Sequence, residues 1–211
     1  MKKIETLLVD LEDVLVATDL TEARLSSKLK PVAFKYFDDV AGMQDTSTLV
    51  LRPHVETFLT EARRFFKQVT LTSKHQTNFL DAFLKQSGLE MYFEHVLPGE
   101  MLKEVAAELV QEGFYDGRKL GTDSVVLLSA AGEGELLNLA KLAKWGVDVR
   151  LGQDEEQELI VKSPKVSNFV IWAEPFHGDP DDDFLVDLLM AFSMAAEEED
   201  KEEAAKKAGK N

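Results

Sequence analysis

The chain has 211 residues, 45% hydrophobic and 30% charged, with a formal net charge of −15 and a pI near 4.7. That size and balance suit one globular α/β domain with a real core. The acidic surplus excludes a general nucleic-acid binder, which needs basic surface against phosphates, and the lack of any cysteine excludes disulfides, thiolate nucleophiles and Cys-ligated zinc.

No apolar run approaches the ~20 residues of a membrane span. Lys2 and Lys3 lead straight into a strand-like segment, so no signal peptide is expected, while a cleaved transit peptide stays compatible with the chain. In chain order, Ile4 to Val9 is a short apolar run stopped by acids, which suits a buried parallel strand. "VAFKYF" and "STLVLRP" read as two strands joined by the loop "AGMQDTS". Pro53 opens a helix whose buried stripe is Val55, Phe58, Leu59, Ala62, Phe65 and Phe66. Gln68 to Ser73 is the next strand, and "QTNFLDAFLKQSG" a second helix stopped by Gly88.

"YFEHVLP" reads as a third core strand and "MLKEVAAELVQEG" as a third helix, ended by Gly113. Ser124 to Ala130 is a strand, and "GEGELLNLAKLAKWG" a helix that Gly146 stops. The strands "VDVRL" and "NFVIWA" flank an acidic loop around Asp154 to Glu158. Asp181 to Ala196 forms the last helix. Strands alternating with helices predict a doubly wound, mostly parallel sheet with helices on both faces. The organisation expected is one domain over residues 1–196 and an acidic, Lys- and Ala-rich tail over 197–211, read as a solvated helix extension.

In such a sheet ligands sit at the carboxyl ends of the strands. The residues there are Asp10, Glu12 and Asp13, then Thr72 and Ser73, then Ser129 and Ala130. Taken alone, Asp10 can simply end a buried strand and accept hydrogen bonds from the next turn's amides. Thr72 and Ser73 likewise suit a turn that closes a strand.

Three blocks, "TLLVDLEDVLVATD", "LRPHVETFLTEARRFFKQVTLTS" and "EPFHGDPDDDFLVDLLMAF", resemble in that order the CTD-phosphatase (NIF-type) branch of the haloacid dehalogenase superfamily. The resemblance covers most of residues 4 to 195. Within the branch, "DLEDVLV" is most similar to the presequence-receptor group of the mitochondrial inner-membrane translocase. The resemblance implies that Asp10 stands in the place of a nucleophile that forms an acyl-phosphate. It puts Glu12 where a second Asp protonates the leaving oxygen, and Thr72 where a hydroxyl orients phosphate.

The resemblance also marks departures. Tyr115 stands where the family has a phosphate-neutralising Lys, with Lys119 nearby in another register. Ser129–Ala130 replaces the strand-end acid that holds Mg²⁺, which leaves Asp10 as the one carboxylate for a metal that needs more anionic support. The extra methylene of Glu12 moves its carboxyl group by more than about 1 Å, a displacement that matters for positioned catalysis. The implied function is a catalytically inactive, cofactor-free domain acting as a protein-binding or structural subunit in a mitochondrial inner-membrane assembly. Its partners would be basic presequences or subunits of a large mitochondrial complex, and not nucleic acid. The alternative is an active Mg²⁺-dependent protein phosphatase with Asp10 as nucleophile and metal ligand.

Other motifs carry less. "GEGELL" lacks both the G-x-x-x-x-G-K-[ST] and the G-x-G-x-x-G spacing, and Glu133 and Glu135 oppose a phosphate there. "GDPDDDF" reads as a helix start with first-turn carboxylates. His54, His75, His95 and His177 show no ligand spacing.

Overall fold

The computed structural model describes residues 4–18, 28–99, 125–130, 146–151, 157–163, 166–167 and 169–208. It is a mixed α/β structure with a parallel sheet flanked by helices. The elements are β1 (Ile4–Asp10), β2 (Val16–Ala17), β3 (Lys30–Asp38), β4 (Met43–Leu51), α1 (Val55–Ala62), β5 (Phe66–Thr72) and α2 (Thr77–Ser87). A short 3₁₀ turn (Glu90–Tyr92) follows, then β6 (His95–Leu97), β7 (Val125–Ser129), β8 (Gly146–Leu151), β9 (Gln157–Ser163), β10 (Val166–Ser167), β11 (Phe169–Trp172) and α3 (Phe184–Ala208).

The central five-stranded sheet has the order β11-β7-β1-β5-β6, and every pairing in it is parallel. Strand β1 lies in the middle, and its apolar run explains why: Leu7 and Val9 are fully buried, as a strand covered on both faces requires. Two three-stranded sheets, β2-β4-β3 and β10-β9-β8, are antiparallel throughout. In β3 the burial alternates: Val32 and Phe34 are buried, while Ala33, Lys35 and Phe37 are exposed. The inward face packs on α2, where the Phe34 and Phe79 rings meet edge to face at 4.9 Å.

Helix α1 buries Val55, Phe58, Leu59 and Ala62 along one stripe. Complete burial of Phe58, Phe66 and Phe83 contributes on the order of 2 kcal/mol per side chain. Gly88 ends α2 in the left-handed conformation, φ 76°, as its position after the apolar stripe predicts.

Several expectations need correction. The α1 stripe stops at Ala62, because Arg64 and Phe65 close i→i+3 turns onto Glu61 and Ala62, and Phe66 already starts β5. Both phenylalanines are still buried, so helical spacing could not separate a helix face from a turn leading into a strand. The loop between β3 and β4 is shorter than "AGMQDTS", since Met43 to Ser47 are paired strand residues. Gly146 begins β8, one residue ahead of the strand expected at "VDVRL". Gln157 and Glu158 belong to β9, which pairs with β8 as an antiparallel hairpin. Asp181 to Asp183 precede α3, which begins at Phe184 and continues without a break to Ala208. The helices expected at "MLKEVAAELVQEG" and "GEGELLNLAKLAKWG" lie outside the described residues, as does the acidic stretch before Gln157.

Candidate functional site

The site follows from strand register. Asp10 ends β1 directly beside Thr72, its partner in β5, and the pairing of Val9 with Leu128 brings Ser129 of β7 to the other side. Thr72 Oγ1 donates to Asp10 Oδ1, and Ser129 Oγ donates to Asp10 Oδ2. Both hydroxyl residues are buried, so each side chain turns a polar group inward and finds the same carboxylate. The following turn is closed by its own backbone. Leu11 N–H donates to Thr72 O at 2.9 Å, and the amides of Leu15 and Val16 reach Leu11 O.

Asp13 is aimed elsewhere. Its φ of 60° is a left-handed conformation that aspartate tolerates. Its carboxylate accepts the Thr18 hydroxyl at 2.6 Å, and its carbonyl accepts Phe176 N–H at 2.7 Å. Asp13 therefore ties the turn to the segment after β11.

Glu12 is held by the turn between β5 and α2. One oxygen, Oε1, accepts Ser73 Oγ at 2.5 Å and the Lys74 amide at 3.1 Å, and lies 3.7 Å from His75 Nε2. Ser73 Oγ in turn accepts the His75 amide at 3.1 Å. The His75 ring stacks on Phe79, centroid to centroid 3.9 Å with planes 16° apart. Burial lowers the His75 pKa below its usual 6.5; Glu12 opposes that shift and Lys74 adds to it. The turn is anchored from below by Ser73 N–H on Leu97 O and Gly99 N–H on His75 O.

A second buried network sits behind this face. Arg52, almost wholly buried, forms a two-pronged pair with Asp182 through Nε at 2.8 Å and Nη2 at 2.7 Å. Its Nη1 donates to Val14 O and Glu174 O, and the guanidinium lies over the rings of Phe184 and Phe176. One side chain thus joins the turn after β1, the start of α1 and the entry to α3. A cleft of about 360 Å³ opens alongside, lined by Lys28, Lys30, Pro53, His54 and Pro180 among others. Its basic side chains face acids: Lys28 pairs with Asp181 and Lys30 with Glu56, and His54 Nε2 lies 3.5 Å from Asp183. Asp10, Glu12 and Thr72 do not line it.

Asp10 and Thr72 are thus brought into direct contact, while Glu12 is drawn to the neighbouring Ser73–His75 turn. Asp10 takes side-chain hydroxyls rather than only the turn amides that sequence suggests. Tyr115 and Lys119 lie outside the described residues. Sequence reasoning gave no role to His75 and Gly99, and treated Ser129 only as a missing acid. The signal for Ser129 was a polar residue at the end of an otherwise apolar strand.

Among the described residues, the donor set does not fit Mg²⁺. A single carboxylate with both oxygens engaged by hydroxyls, flanked by Ser129 and Ala130, offers too little charge for a hard divalent cation. Among the described residues no three His, Asp or Glu side chains converge as a metal site would require. No helix among them is long and apolar enough to cross a membrane.

No protein-family model matches the chain, and no curated protein does. Among solved structures, the chain is similar to the RNA polymerase II CTD phosphatase of fission yeast, in a structure with bound beryllium fluoride. The match has 14% sequence identity and a TM-score of 0.43, and covers 62% of this chain and 38% of that one.

Proposed function

We propose that this protein is a phosphatase-homology domain of the haloacid dehalogenase type whose strand-end face has become structural, and that it works by binding other proteins. The observation that carries the reading is the state of Asp10. A carboxylate nucleophile needs an oxygen aimed at the substrate. Here Thr72 and Ser129 each donate to one of its two oxygens, and Glu12 is held by Ser73 and Lys74 instead of standing ready as an acid. The three sequence blocks that resemble CTD-type phosphatases support the ancestry. Their likeness to presequence receptors supports a place in a mitochondrial inner-membrane assembly, and the charge of −15 suits basic partners.

The test compares the wild type with Asp10→Asn. Purified full-length protein, incubated with an aryl phosphate and Mg²⁺, is expected to release phosphate no faster than the mutant. Turnover in the wild type that Asp10→Asn abolishes establishes the active phosphatase instead. Stable co-purification of the native protein with a multi-subunit assembly is the positive half of the reading. A free monomer in gentle extracts contradicts it.

A further inference from the structure

We propose that His75 is a proton-operated latch that fastens the turn between β5 and α2 to the loop after β1 through Glu12. This inference is independent of whether the domain is catalytic. The imidazole stacks on the Phe79 ring and turns its Nε2 toward the Glu12 carboxylate. Phe79 fixes the plane of the ring from α2, and Glu12 Oε1 waits 3.7 Å from Nε2, beyond normal hydrogen-bonding distance. The carboxylate is mostly covered, with its side chain 11% exposed, whereas His75 is 31% exposed and so open to solvent protons.

Among the described residues, the charged groups bearing on the ring are Glu12 from the loop after β1 and Lys74 from its own turn; α2 presents Phe79, which does not titrate. Burial keeps the imidazole neutral at neutral pH, and acidification below the usual His range charges it. Two interactions then strengthen together. The cation is attracted to the Phe79 face, and Nε2–H gains a charge-assisted bond to Glu12.

Glu12 Oε1 already accepts Ser73 Oγ and the Lys74 amide, so any movement of the carboxylate toward His75 is felt by both donors. The same turn carries Thr72 and its bond to Asp10 at one end and the Phe79 contact with Phe34 and Tyr36 at the other. Protonation at one ring therefore reaches the strand-end face and the β3–β4 hairpin.

The experiment is an NMR pH titration of the full chain, following the His75 ring and the backbone amides of Ser73 and Lys74. The His75 midpoint is expected below 6.5, with the two amides shifting at the same midpoint. Glu12→Gln should lower the His75 midpoint further, by removing the carboxylate that favours the cation. His75→Gln should remove the amide shifts altogether while the protein stays folded. Amides that do not follow His75, or a midpoint indifferent to Glu12→Gln, overturn the latch.

Discussion

Gly99 shows how a single atom can govern the candidate site. A Cβ placed there would stand 2.2 Å from Lys74 O and 2.7 Å from its carbonyl carbon, and both are backbone atoms that no side-chain rotation can move aside. The backbone at Gly99 is not left-handed, so the requirement is for space alone. Gly99→Ala is expected to destabilise the fold by about 1–3 kcal/mol, the usual range for overpacking, measured by urea denaturation. It should also disturb the Lys74 amide, which donates to Glu12, and the neighbouring Ser73 amide, which donates to Leu97 O. Unchanged stability and unchanged amide shifts would mean that the turn relaxes freely. At this scale the sequence was partly legible. Asp10 and Thr72 stand out because an acid and a hydroxyl each end an apolar run. His75 and Gly99 do not, since their roles come from contacts with Glu12 and Lys74, separated in the chain by 63 and 25 positions (75 − 12, 99 − 74).

Between elements, the clearest joint is Arg52 with Asp182. Sequence patterning places Arg52 correctly, where β4 leads into α1, but puts Asp182 inside the last helix rather than just ahead of it. Their partnership across 130 positions has no local signature. The run "GDPDDDF" therefore reads as first-turn carboxylates, although Asp182 actually caps Phe184 N–H at 3.2 Å while holding the guanidinium. Arg52→Met keeps most of the side-chain volume over Phe176 and Phe184 but leaves Asp182 without its counter-ion and two carbonyls without a donor. Breaking a buried pair from one side costs roughly 3–5 kcal/mol, and a loss of that order is expected by chemical denaturation. Arg52→Met with Asp182→Leu should recover part of it, because the stranded charge is then gone. A single mutant as stable as the wild type would show that the pair contributes nothing to joining α3 to the turn after β1. The β8–β9 hairpin was less legible, because the strand character of "QELIVKS" begins inside an acidic stretch.

For the whole molecule, the pattern of alternating strands and helices was enough to predict a central parallel sheet. It did not predict the two antiparallel sheets, because strand patterning does not by itself show pairing direction. The remaining question at this scale is where the cooperative unit ends along α3. Its first turns belong to the core: Leu185 and Leu188 are buried, and Phe192 meets the rings of Phe65 at 5.8 Å and Phe66 at 5.2 Å. Beyond that contact the described side chains, among them Glu197, Lys201, Ala204 and Ala205, are exposed. Among the described side chains, apolar burial therefore stops near Phe192 even though the helix continues to Ala208. The distal turns are held by backbone bonds and helix-favouring Ala, Glu and Lys, which give little stability without a packed face. Truncation after Ala196 should leave the unfolding free energy within about 0.5 kcal/mol of the full chain, while far-UV circular dichroism loses helical signal. Phe192→Ala in the full chain should instead cost about 3 kcal/mol, the lower end for a large aromatic truncation because the ring is only partly buried. If truncation is the more damaging change, the distal helix packs against the domain and the cooperative unit extends beyond Phe192.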